Sequence, residues 1–192
     1  MKKPILIAFL LIPFFSFAQT KKSIDSFLGI KFGSSVAQVK AAMQARGSVF
    51  DPVNSKGDFI MFDKVTLGSR KPQVFGVKFA NGQACGAVFI FKPSLEARTI
   101  EYYDDLKKDI TEVYGDGESK KIFKSPYKDG DGDELTAIES GYADYSTLWF
   151  DDKRNVIAET ISSEMEITLL YQDAALESTA KEKDKAKEKA DF

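Results

Sequence analysis

The sequence predicts an α+β fold: two pseudo-repeats of helix plus three to four antiparallel strands, forming one sheet with the helices packed on one face. Three observations carry this prediction. Residues 74–91 read VFGVKFANGQACGAVFIF, two apolar runs joined by Asn81-Gly82. That pair suits a type I′ hairpin turn, in which both central residues need φ > 0. Two stretches with helical spacing each run into a glycine, Gly47 and Gly115. An aromatic residue closes a strand before a turn twice, at Phe79 and at Phe150.

Residues 1–18 predict a secretory leader cleaved after Ala18. Lys2 and Lys3 precede an apolar run over 5–15, and Ser16-Phe17-Ala18 sets small residues at the −3 and −1 positions. That run is far shorter than the roughly 20 residues that cross a bilayer. The mature chain is therefore expected to be periplasmic or secreted, with no transmembrane anchor after cleavage.

One α+β domain is expected over 19–172, with pseudo-repeats at about 27–93 and 94–172. Residues 27–32 read as a short strand or extended arm. A helix is expected over 35–46, because Ser35 and Gln38 fit a capping box and Val36, Val39, Ala42 and Met43 make an apolar stripe. Residues 59–67 read as a strand, and the hairpin follows. A two-residue turn would set Phe79 opposite Ala84 and Lys78 opposite Cys85. Phe75, Val77 and Phe79 would then share a face with Ala84, Gly86, Val88 and Ile90. A second helix is expected over 99–114, with Ile100, Tyr103, Leu106, Ile110 and Val113 as its inward stripe. Strands are expected over 120–124, 135–139, 146–151, 156–162 and 166–172. Residues 173–192 end in KEKDKAKEKADF, a charged low-complexity tail with little to bury.

Composition narrows the chemistry. The chain has no histidine. This removes Ser-His-Asp and Cys-His catalysis, histidine base catalysis and the usual zinc sites. Cys85 is the single cysteine, so no internal disulfide can form. The formal charge is −2, and loss of the leader removes two lysines, which argues against a nucleic-acid partner. Asp129, Asp131 and Asp133 stand at the first, third and fifth positions of a calcium-loop pattern. Glu134 replaces the glycine that such a loop needs, and Ser140 replaces its final glutamate. A solvated acidic turn is the better reading, and neither a metal nor a cofactor is expected. In the simple register Cys85 lies beside Lys78, which would favour a thiolate, but no base accompanies it and a buried structural thiol is expected.

Gly33, Ser35, Gln38, Val39 and Met43 present a glycine, a small hydroxyl residue, a Gln-Val pair and an aliphatic residue at a helix start. This resembles the β-lactamase-inhibitor-like fold and the small barrel-assembly lipoproteins of bacterial outer membranes. The resemblance covers residues 33–43. It implies helices on one face of an antiparallel sheet in an exported, envelope-associated protein. The Gly-x-Pro that usually follows that helix is missing, and no lipid-attachment cysteine follows the leader, so a lipid anchor is not carried over.

With catalytic residue types scarce, the expected function is an exported, non-catalytic binding or envelope-associated module. It would engage a protein or envelope component through an open sheet face. Tyr145, Trp149 and Phe150 are the candidate binding residues, since strand alternation must turn one of Trp149 and Phe150 toward that face. Two other readings stay open: a carboxylate-based extracytoplasmic hydrolase, which needs two carboxyls in one cleft, and a structural cell-surface protein.

Overall fold

A computed structural model describes residues 22–179 and Glu182. The expected leader and most of the charged tail lie outside the described residues. In chain order the elements are β1 (Ser26–Phe27), β2 (Ile30–Lys31), α1 (Val36–Ala45), β3 (Val49–Lys56), β4 (Phe59–Asp63), β5 (Val74–Ala80) and β6 (Gln83–Phe91). A 3-10 turn at Glu96–Arg98 leads into α2 (Thr99–Tyr114), β7 (Glu118–Phe123), α3 (Glu134–Glu139), β8 (Ala143–Phe150), β9 (Val156–Ile161) and β10 (Ile167–Gln172). Strands β1 and β2 pair as a separate ribbon. The other strands form one antiparallel sheet in the order β3-β4-β5-β6-β10-β9-β8-β7.

The hairpin turn forms as its composition demands, with φ of 53° at Asn81 and 77° at Gly82. Its register is not the simple one. Phe79 faces Ala84, but Lys78 faces Gly86, so Cys85 is an extra residue bulged from the ladder. The one-residue slip turns the rest of β6 over. Phe89 and Phe91, rather than Val88 and Ile90, are buried with Phe75 and Val77, and the Phe75 and Phe89 rings lie 4.6 Å apart.

Along β8, β9 and β10, burial alternates residue by residue. The inward face carries Tyr145, Thr147 and Trp149, then Ile157, Glu159 and Ile161, then Ile167, Leu169 and Tyr171. Val39 and Met43 of α1 join the same apolar core, as do Tyr103, Leu106, Ile110 and Tyr114 of α2. Both helices start where their sequences say. Ser35 Oγ accepts from the Gln38 amide at 3.3 Å, and Gln38 Oε1 accepts from the Ser35 amide at 2.8 Å. The inward stripe of α2 ends on Tyr114 and leaves Val113 exposed, because a four-residue step from Ile110 follows the 3.6-residue turn better than three.

The predicted pair of helix-plus-strand repeats is corrected. The chain is sheet-dominated, with one continuous eight-stranded sheet and a separate two-stranded ribbon. Among the described helices only α1 and α2 exceed six residues, and they differ in length, 10 against 16. The ribbon precedes α1 alone, and α3 interrupts the strands after α2 alone. A pattern of helix, glycine and meander records the type of each element but not its length or its insertions.

Residues 135–139, read as a strand, are the helix α3, which buries Ala137 and Ile138 side by side. Consecutive buried residues belong to a helix face and not to a half-buried strand. Strand β3 carries no alternating signal and was not foreseen. It is an edge strand with a register break after Asp51, and its Pro52 is tolerated there because an edge leaves amides unpaired.

Candidate functional site

The three candidate binding residues separate by strand alternation. Trp149 is fully buried, and Gly117 lies against it so closely that a Cβ there would stand 2.7 Å from the indole. Tyr145 is also buried, with its ring edge-on to Tyr103 at 6.1 Å and to Phe123 at 5.9 Å. Phe150 points the other way and is 37% exposed. Trp149 and Tyr145 therefore belong to the core, and the surface holds Phe150 alone of the three.

The outward face of the sheet follows from the pairing. Gly76 faces Val88, Val88 faces Leu170, Leu170 faces Ala158 and Ala158 faces Leu148. The aliphatic members of this row are each half-buried. Phe59 and Met61 extend it, since both side chains occupy the space over Gly76 that a Cβ would need. On one side runs a row of Ile90, Thr168, Thr160 and Ser146, and on the other a row of Lys78, Gly86, Gln172, Val156 and Phe150. The face is thus an apolar stripe with mixed margins, polar at Thr168, Thr160, Ser146, Lys78 and Gln172 and apolar at Ile90, Val156 and Phe150.

The chain after β10 borders one end of this stripe. Asp173 accepts from the Leu176 amide at 2.8 Å and caps a helical turn over 174–179. Glu177 of that turn pairs with Lys78 at 2.8 Å. Together with Phe59, Val88, Leu170 and Gln172 they line a groove of about 160 Å³.

The other groups singled out from the sequence lie elsewhere. The Cys85 thiol donates to the Lys78 carbonyl at 3.5 Å, and burial, aided by the Glu177 carboxylate, pushes it up to about 11. The bulge sets Lys78 opposite Gly86, so the pairing expected to activate the thiol does not form. In the acidic loop, Asp131 accepts from the Lys128 and Asp133 amides at 2.7 and 3.0 Å, and these bonds hold its carboxyl below the usual range. Asp129 lies 3.6 Å from Lys121. Among the described residues no group of three or more ligating side chains converges.

Sequence reasoning missed two features. One is Glu159, inward on β9 and fully buried. Neither of its carboxyl oxygens has a hydrogen-bond partner among the described residues, and burial pushes it up to about 9. Next to it across the strands, Thr147 meets the Tyr103 hydroxyl at 2.6 Å and the Ser119 hydroxyl at 2.9 Å. Glu159 lines none of the surface clefts described here. In the sequence, a glutamate at an inward position of VIAETI is the only sign of it.

The second feature is a cleft of about 500 Å³ where β6 ends and α2 begins. Arg70, Lys71, Lys92 and Arg98 line it with Tyr102, above the end of Phe91. A sequence signal for it exists. Lys71-Pro72 and Lys92-Pro93 stand just outside the two ends of the β5–β6 hairpin, so antiparallel pairing brings them to the same end of the sheet. Comparison with protein-family models gave no match, and neither did comparison with curated proteins or with solved structures.

Proposed function

We propose that this chain is an exported, non-catalytic binding module that engages a protein or envelope component through the outward face of its sheet. The supporting observation is the half-buried stripe of Met61, Val88, Leu170, Ala158 and Leu148, held in register, with Gly76 between Met61 and Val88, across six strands. A contiguous apolar patch of this kind has a favourable free energy of burial, and the polar residues interspersed in the flanking rows are of the kind found at an interface rim. Phe150 supplies an aromatic anchor in the adjoining row. The scarcity of catalytic groups is consistent with this reading. The carboxyl most strongly shifted toward its protonated form, Glu159, lies in the closed core rather than in a cleft.

A photo-crosslinking residue at position 150 tests it in envelope extract. Discrete adducts are expected, and they should vanish in Leu148→Thr/Leu170→Thr, a pair that keeps β-forming residues and so keeps the strands. Adducts undiminished in that variant would overturn the reading. So would a turnover lost on removing one carboxylate while the adducts remained.

A further inference from the structure

We infer that the cleft between the end of β6 and the start of α2 binds a small organic polyanion: a molecule with a compact apolar or aromatic body and two or more negative charges carried on carboxylate or phosphoryl groups. Its volume of about 500 Å³ suits a small ligand. Three separate segments deliver its cations: the loop after β4 gives Arg70 and Lys71, the end of the hairpin gives Lys92, and the 3-10 turn gives Arg98. Against these four the lining holds one acid, Asp105, in a protein whose net charge is −2. Acids outside the lining, Asp109 and Glu101, pair with Arg70 and Arg98, so the cationic character of the wall itself rests mainly on Lys71 and Lys92, which would draw in the opposite charge.

The four cations are not equivalent. Arg98 is an exposed residue that forms a fork on Glu101 at 2.8 and 3.0 Å. Arg70 is held in place: its side chain is 19% exposed, it pairs with Asp109, and its guanidinium stands 5.5 Å from the centre of the Tyr102 ring. Lys71 and Lys92 make no ion pair among the described residues. Each precedes a proline, which restricts its backbone to extended conformations. The Gln73 amide donates to the Ile90 carbonyl at 2.8 Å, carrying the hairpin ladder to the edge of the cleft. Two lysines outside any salt bridge among the described residues, one of them (Lys92) with its charge felt by Glu164, thus line one concavity at the open end of the hairpin. Phe91, Pro93, Leu95 and Tyr102 supply its apolar walls. Inorganic phosphate would use the cations and not the walls. A neutral aromatic molecule would use the walls and not the cations.

Thermal shift and calorimetry on the mature chain test this, with phenyl phosphate, benzene-1,3-dicarboxylate, inorganic phosphate and benzyl alcohol as probes. The two aromatic anions are expected to raise the melting temperature and to bind measurably more tightly than either control. Their affinity should fall with added salt. Lys71→Ala/Lys92→Ala should keep the melting temperature of the unliganded protein and weaken aromatic-anion binding by about tenfold or more. Tyr102→Leu reports on the apolar wall and should lower affinity for the aromatic anions without changing that for phosphate. The inference is overturned if no aromatic anion binds, if benzyl alcohol binds as well as phenyl phosphate, or if the double variant binds undiminished.

Discussion

At the scale of single residues, Glu159 makes the sharpest statement. With neither oxygen hydrogen-bonded among the described residues, its carboxyl is held toward the protonated form, because desolvation penalises the anion more than Lys107 and Arg70 favour it. Unfolded, it releases its proton near 4.5; folded, it keeps the proton up to about 9. Between those values the folded state binds a proton that the unfolded state does not, so this group's contribution to stability is lost as pH rises through the window. The slope in mid-window is about 1.4 kcal/mol per pH unit. Glu159→Gln is expected to flatten that dependence and to stabilise the protein at pH 8, and urea melts at pH 5, 7 and 8.5 would measure both effects. Equal slopes for the two proteins would mean that the carboxyl is already ionised or hydrated. Phe79 is the contrasting residue, apolar and buried at the hairpin turn. Phe79→Ala is expected to cost about 3–5 kcal/mol in the same melts, and a loss under about 1 kcal/mol would mean that its site collapses freely.

At the scale of elements, local sequence and tertiary packing divide the control. Helix α1 is set by its own residues. The Ser35–Gln38 box closes its first turn, and Gly47 follows its end at φ 81°. Ser35→Ala is therefore expected to cost about 1 kcal/mol, read as a drop in the urea midpoint at unchanged slope. A change in slope would show that the cap instead shapes the unfolded state. The β5–β6 hairpin is set only in part by its residues. Asn81-Gly82 specifies the turn, yet nothing in the run of Ala84, Cys85 and Gly86 announces the bulge. Its backbone links point to a reason: the Ala84 amide and carbonyl bond Ser34 and Gly33, and the Cys85 carbonyl accepts from the Asp173 amide. Both partners come from distant parts of the chain, so the slip that brings Phe89 and Phe91 inward was not open to local reading. Helix α3 was missed for a similar reason, since six residues are too few for either period to declare itself.

At the scale of the whole molecule, the last strand among the described residues lies at the middle of the sheet. Strand β10 sits between β6 and β9, while β3 and β7 are the edges. Hydrogen exchange should accordingly find the slowest amides in β6 and β10 and the fastest strand amides in β3 and β7, because opening the centre needs near-global unfolding. Edge amides that outlast those of β10 would contradict this order of stability. The outward stripe and the anionic-ligand cleft also belong to this scale, each assembled from segments far apart in the chain. By itself the sequence determined the absence of histidine chemistry, the Asn-Gly turn, both long helices and most of the second-half strands, because those depend on residue type or on neighbours within one turn of helix or one hairpin. Only the tertiary structure decided which face of β6 is buried, that Trp149 and not Phe150 faces inward, that Glu159 is buried with no hydrogen-bond partner among the described residues, and that four scattered cations share one cleft. Strand alternation tells which residues share a face but never which face the core will choose, and that choice rests on pairings between residues tens of positions apart.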